Sequence, residues 1–190
     1  MASARAALDR LCDPAYEVSA HYLVGLDGRL WQLVDEDRRA WHAGQGSWQG
    51  RADVNSRSIG IELDNNGRQP FPEPQMQVLE ALVAGIRARW DIPPDGVIGH
   101  SDMAPGRKSD PGPRFDWARL DRAGLSRPPR AVSPDPAASF RDLAISAGYP
   151  TTAGDEDLLR AVRLRLRPWA TGPLDPADAR ALAPAASFSF

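Results

Sequence analysis

Gly99-His100-Ser101-Asp102-Met103-Ala104-Pro105-Gly106-Arg107-Lys108-Ser109-Asp110-Pro111-Gly112-Pro113-Arg114-Phe115-Asp116-Trp117 sets an imidazole, a lysine and a carboxylate in a loop stiffened by prolines. Just before it, Gly96-Val97-Ile98-Gly99 reads as a short buried strand. That would put His100 at a strand end, where loops carry chemistry on a fixed scaffold. Pro105, Pro111 and Pro113 fix φ and push the residues before them toward extended conformations, so Asp110 is expected just ahead of a turn, with Lys108 beside it. A neutral imidazole and a carboxylate are both good zinc ligands, and a catalytic zinc usually has three protein ligands and an open position for water. Such an ion lowers the pKa of its water to roughly 7, and a neighbouring cation, here Lys108, can steady the oxyanion formed on a carbonyl. From residue types alone, the commoner outcome is a His100 that caps a strand and an Asp110 that forms a solvated turn.

The loop resembles the C-terminal zinc loop of the type 2 family of bacterial N-acetylmuramoyl-L-alanine amidases. It matches the pattern G-H-x-D-I-A-P-x-R-K-x-D-P-G-P-x-F-x-W with Met103 in place of the isoleucine. Three further segments follow the family in the same order: Val18-Ser19-Ala20-His21-Tyr22-Leu23-Val24, Ala40-Trp41-His42-Ala43-Gly44 and Ser58-Ile59-Gly60-Ile61-Glu62-Leu63. Together they cover roughly residues 1 to 120 and most resemble the branch that includes the cytoplasmic recycling amidase and its outer-membrane relative. The resemblance implies an α+β fold, a mixed central β-sheet flanked by helices. It implies His100 and Asp110 as ligands of Zn2+, Glu62 as catalytic acid/base and Lys108 as the group that polarises the carbonyl or stabilises the oxyanion. It places His21, Trp41, His42 and Arg107 at the substrate cleft. Ser58–Leu63 alternates, with Ile59, Ile61 and Leu63 on one face, so Glu62 projects from the other, and Gly60 leaves room beside it.

In the family the first zinc ligand is a histidine ending the opening strand, in a segment resembling V-L-H-Y-T-G-M that precedes the first helix. The chain begins at that helix, so this ligand and a central strand are expected upstream of Met1. His21, in the V-S-A-H strand, and His42, beside Trp41, are expected as hydrogen-bonded residues rather than metal ligands. The implied activity is hydrolysis of the amide between the lactyl group of an N-acetylmuramoyl or anhydro-muramoyl residue and L-alanine. The alternative is a non-catalytic muropeptide-binding protein of the same fold. Retention of Glu62, Lys108, His100 and Asp110 argues against it, because binding alone needs neither acid/base nor oxyanion cation. A metal nuclease, a third use for His, Asp and Lys, is disfavoured by the charge balance.

That balance is −2 at pH 7 over 190 residues, which gives no electrostatic case for nucleic acid. At 42% hydrophobic the chain can bury one good core and a small satellite. The lone Cys12 excludes an internal disulfide. Residues 1–11 carry Arg5, Asp9 and Arg10 and lack the apolar run of a signal peptide, and no stretch spans a membrane. As written, the chain is expected to be cytoplasmic and monomeric, with a periplasmic or outer-membrane-associated form if the start lies upstream.

Along the chain, Ala2–Leu11 is expected as a helix, and His21–Val24 as a strand pairing Leu30–Val34 across Asp27-Gly28. The Gly-rich stretch 44–57, with Trp48, is expected to wall the cleft. From Pro74 a helix should pack Leu79, Leu82, Val83, Ile86 and Trp90 on the sheet. Residues 1–126 form the amidase domain in this reading, 127–137 a Pro-rich linker, and 138–190 a small helical domain resembling a degenerate peptidoglycan-binding module. Its helices are expected over Ala138–Ala147, Asp155–Leu166 and Pro176–Leu182, the second with a Leu158, Val162, Leu166 seam and with Arg160, Arg163 and Arg167 on a solvated face. It is small for independent stability and is expected to dock on the amidase domain.

The genomic DNA directly upstream of the Met1 codon is expected to encode, in frame, an apolar strand ending in histidine. An in-frame stop within a few codons, with no such segment, would favour the binding-protein alternative.

Overall fold

The computed structural model describes residues 3–132 and 137–183. Ala2 of the opening helix, residues 133–136 of the expected linker and the C-terminal residues from 184 lie outside them. The chain divides into two compact units. The first takes residues up to Gly46 with Asp53–Val97 and Arg114–Arg127; the second takes Ser47–Ala52, Ile98–Pro113 and the residues from Pro128 onward.

In the first unit, a three-stranded sheet in the order β2-β1-β3 is built from β1 (Tyr22–Val24), β2 (Leu30–Gln32) and β3 (Ile61–Leu63). The hairpin turn at Asp27-Gly28 sets β1 antiparallel to β2 with Leu23 opposite Trp31, and β3 joins β1 in parallel with Leu23 opposite Glu62. The fold is therefore the expected mixed α+β arrangement. Helix α1 (Ala4–Cys12) starts on Ser3, whose hydroxyl accepts the Ala6 N–H, and buries Ala7. Helix α2 (Glu73–Trp90) begins with Pro74 in its first turn and ends where Asp91 turns left-handed, φ 50°. It buries Met76, Leu79, Leu82, Val83 and Ile86. Ile59, Ile61 and Leu63 pack on that face, as their alternation implies.

Two polar residues settle how α2 sits. Gln75, fully buried, donates from Nε2 to the carbonyls of Val24 (2.9 Å) and Asp64 (3.1 Å), tying the helix to the ends of neighbouring strands, where the Val24 carbonyl also accepts the Asp64 N–H. Trp90, expected in the apolar stripe, is instead 45% exposed and donates its indole N–H to Glu36 (2.6 Å). It sits where the helix stripe runs off the sheet, and an amphipathic ring there keeps its N–H partnered. Glu36 also accepts from Tyr22 (2.7 Å) and from Arg89 (3.0 Å). Helix α4 (Trp117–Arg122) closes the unit, with Phe115, Trp117 and Leu120 in one cluster with Met76, Leu79 and Val83. The F-x-W tail of the quoted stretch is thus a core anchor.

The second unit holds α3 (His100–Met103), α5 (Phe140–Ser146), α6 (Asp155–Leu166) and α7 (Pro176–Leu182). Ser139 and Asp175 cap α5 and α7, each with an aspartate three residues on that reaches back to the cap. Its core joins Phe140, Leu143, Tyr149, Leu158, Val162 and Leu182. The solvated face expected for α6 is corrected by α7, which covers part of it. Arg163 is buried and donates to Asp178 (3.0 and 2.6 Å) and to the carbonyls of Gly172 and Pro173. Arg167 pairs with Asp175 and Asp178. Of the three, Arg160 alone keeps an exposed side chain, 63% open beside Asp157. Residues at the start of the expected linker pack too, with Ala131 buried and its N–H given to the Leu182 carbonyl (2.8 Å). Among the described residues no helix is long and apolar enough to cross a membrane.

Hydrogen bonds led by Arg89, with Tyr22 and Trp90 adding, outweigh burial and hold the Glu36 carboxyl at about 2 against its ordinary 4.5. A carboxyl depressed on folding adds stability above its unfolded value and loses it as pH falls through the folded one. Glu36→Gln should therefore cost about 2 kcal/mol at pH 7, discounted for the exposed Arg89, with the gap to wild type shrinking below pH 4.5 and closing near pH 2. Urea unfolding at stepped pH reads this; a gap constant with pH would sink it.

Candidate active site

The quoted loop folds differently from its expected start. Val97 and Ile98 form no strand: the Val97 N–H closes a tight turn onto the Pro94 carbonyl (3.3 Å), and His100 opens α3. A strand exists only through a partner that takes its N–H and C=O groups, and among the described residues none pairs with this segment. The turn that carries His100 is fixed by Asp102, whose carboxylate accepts the Gly99 N–H (2.8 Å). The N–H of Ser101 reaches the Asp110 carbonyl (3.0 Å), and the His100 Nδ1 and Asp110 Oδ2 atoms are hydrogen-bonded. The two expected ligands thus converge. Burial raises the Asp110 carboxyl, but the His100 hydrogen bond, with the charges of His100 and Lys108, outweighs it and leaves the group below its usual value.

Lys108 is half-buried, its N–H and that of Arg107 both turned onto the Ala104 carbonyl. With Arg107 and Ser109 it lines a cleft of about 210 Å³ whose other wall is Asp157, Arg160 and Ala161 of α6. Gly106 sits at φ +80°, the left-handed region that favours glycine, and a Cβ there would also stand 2.4 Å from the Asp157 carboxylate.

Behind the loop, Asp102 is 1% exposed and also accepts the Tyr149 hydroxyl (3.2 Å). Burial pushes its carboxyl up against the opposing effects of Arg165, the Gly99 N–H and Tyr149, and burial likewise drives the Tyr149 hydroxyl well above its usual value. Asp102 carries two signals in the sequence, its match to the aspartate of the G-H-x-D pattern and its place three residues after Gly99, the spacing of a helix N-terminal cap.

The other candidates lie in the first unit. Glu62 sits mid-strand on β3, partly buried, on the face opposite Ile61 and Leu63. His21, expected at the cleft as a hydrogen-bonded residue, is 1% exposed with both ring nitrogens used: Nδ1 accepts the Gly60 N–H (2.9 Å) and Nε2 donates to the Arg38 carbonyl (3.0 Å). The space expected beside Gly60 is filled by His42, whose ring would lie 2.3 Å from a Cβ there. The two imidazoles meet edge to face at 5.7 Å, and His42 Nε2 bonds the Ser58 hydroxyl (3.2 Å). Asn55, unremarked in the polar 44–57 stretch, is buried and accepts the N–H groups of both His42 (3.1 Å) and Ala43 (2.8 Å). Trp41 is 56% exposed, its ring backed by the Arg39 guanidinium at 4.3 Å, which Asp53 holds at 3.0 Å. Trp48, expected in a cleft wall, belongs to the second unit and packs on Tyr149 and the helical core.

An imidazole nitrogen and a carboxylate oxygen held together are donors that suit zinc, and the pair fits such an ion as part of a site. Among the described residues no group of three or more His, Cys, Asp or Glu side chains gathers. Residues 1–113 match the family model described as N-acetylmuramoyl-L-alanine amidase. The chain belongs to that amidase family.

Within the family, the chain is 35% identical over 202 residues to N-acetylmuramoyl-L-alanine amidase AmiD of Escherichia coli K12, covering 89% of this chain and 73% of that protein. It is 49% identical over 106 residues to the E. coli 1,6-anhydro-N-acetylmuramyl-L-alanine amidase AmpD, spanning about half the length of each, 54% and 56%. The solved complex of AmiD with anhydro-N-acetylmuramic acid-L-Ala-D-gamma-Glu-L-Lys superposes with a TM-score of 0.82 at 33% identity, covering 94% of this chain and 81% of that one. AMPDH3 of Pseudomonas aeruginosa superposes at 0.81 and 31%, covering 95% and 85%.

Gly60→Ala should displace His42 or part β3 from β1, costing about 1–3 kcal/mol, the scale of an overpacked core. Thermal unfolding together with the His42 imidazole NMR shifts checks this. An unchanged melting temperature with unchanged His42 shifts would mean the ring does not occupy that space.

Proposed function

We propose that this chain is a zinc-dependent amidase that cleaves the amide between the lactyl group of an N-acetylmuramoyl or anhydro-muramoyl residue and L-alanine, in peptidoglycan or its turnover fragments. The observation that carries the reading is the convergence of His100 and Asp110 in a loop cross-tied from Ser101 to Asp110, in a chain of the amidase family. The peptide-bearing anhydro-muramic acid seated in AmiD supports the substrate class.

His100 and Asp110 would hold the ion as two of the three protein ligands that a catalytic zinc usually has. With zinc bound, they would supply the Lewis acidity that lowers the pKa of a water and polarises a carbonyl. Glu62 accepts the proton of the attacking water and returns it to the L-alanine nitrogen as the C–N bond breaks, so one carboxyl serves as base and then acid. Lys108 sets its ammonium against the carbonyl oxygen that becomes negative. Trp41, His42 and Arg107 contact substrate, Trp41 through the ring face that Arg39 leaves open. His21 serves behind them as a strut.

The roles separate by mutation. Glu62→Ala should cut turnover of anhydro-muramoyl peptide by roughly 10²- to 10⁴-fold with bound zinc unchanged. Lys108→Ala should cost about 10²- to 10³-fold, again with zinc retained. Asp110→Ala should lose zinc and activity together. Release of L-alanyl peptide, followed by mass spectrometry beside zinc content after dialysis, gives both readouts. If Glu62→Ala kept near wild-type turnover but lost zinc, the carboxylate roles would be exchanged; if the wild type bound the muropeptide without cleaving it, the binding-protein alternative would stand.

A further inference from the structure

His100 is held by backbone: it opens a four-residue helix whose geometry rests on the Gly99 N–H bond to Asp102 and on the Ser101 N–H bond to the Asp110 carbonyl. Asp102 is therefore the keystone of the turn, and a buried carboxylate acting as an acceptor needs donors on its remaining lone pairs. One comes from outside the loop. Tyr149, 2% exposed beyond the end of α5, donates its hydroxyl to Asp102 Oδ1, while Arg165 of α6 lends positive charge beside it. The Tyr149 ring is itself locked, edge-on to Trp48 at 5.4 Å.

We propose that Tyr149 is a positioning residue for the metal loop: through Asp102 it fixes the turn that aims His100 at Asp110, so the C-terminal helical segment is a working part of the ligand cradle. This rests on the zinc reading above for its metal readout and on the hydrogen-bond geometry alone for its second readout. A side chain that merely filled the helical core would tolerate loss of its hydroxyl, since the ring would still pack. A side chain that holds Asp102 would not.

The test compares wild type, Tyr149→Phe, Asp102→Ala, the double variant and Asp110→Ala in the full-length protein. Zinc affinity is measured by chelator competition and amide exchange at residues 99–103 by mass spectrometry. Tyr149→Phe keeps the ring against Trp48 and so keeps the fold. It should weaken zinc binding about tenfold and speed exchange at the turn about tenfold, the scale of a lost outer-sphere partner or a lost bond to a charged group. The double variant should match Asp102→Ala alone, because the hydroxyl acts only through that carboxylate. Equal zinc binding by wild type and Asp110→Ala would overturn the zinc reading yet leave the exchange result to decide the positioning role. Loss of zinc in Asp110→Ala, with Tyr149→Phe equal to wild type in affinity and exchange, would overturn the positioning role itself.

Discussion

The bond between His21 and Gly60 is the constraint on which the sheet depends. Gly60 offers one N–H and one C=O just ahead of β3; the first goes to the His21 ring, and the second takes the backbone N–H groups of His21 and Tyr22, each at 3.1 Å. The imidazole thus does what an extra pair of strand residues would do, and its far nitrogen ties in the Arg38 carbonyl. The parallel register that puts Leu23 opposite Glu62 follows from that pairing. A slip of one residue would carry Glu62 to the face of Ile61 and Leu63 and bury a carboxylate among aliphatic side chains.

The second unit solves a different problem, how to keep charge inside a small helical core. Arg163 and Asp178 are nearly or wholly buried and bonded to each other twice, with backbone carbonyls of the 172–173 turn taking remaining donors. Such a pair adds little net stability over a well-packed apolar pair, yet losing either member strands the other. It therefore specifies one way for α7 to lie on α6. Asp102 follows the same rule, with its two oxygens given to Gly99 and Tyr149.

Features written in local pattern were legible in the sequence. The Asp27-Gly28 hairpin, α2 from Pro74 and the bounds of α6 and α7 follow from turn chemistry, proline placement and apolar spacing, all short-range. The pairing of His100 with Asp110 was legible through the family resemblance; Pro105, Pro111 and Pro113 stiffen the loop, but by themselves they leave a capped strand and a solvated turn as the commoner outcome. What escaped was set by residues distant in the chain. Nothing near Arg163 says that α7 covers its face, nothing near His21 says that Gly60 waits for its ring, and nothing at Gly60 says that His42 occupies the open side. Val97 and Ile98 have a strand's composition, but strand formation needs a partner as well as a composition. Trp90 obeyed the helical period and lay beyond the sheet it was meant to cover.

Gly106 and Asp157 constrain the loop in two separate ways. A side chain at position 106 would displace the Asp157 carboxylate, the movable end of a side chain that is 40% exposed. Removing that carboxylate opens the space without freeing the position, because the backbone stays left-handed at φ +80°. Glycine at 106 is thus held first by the course of the main chain and only second by its neighbour on α6.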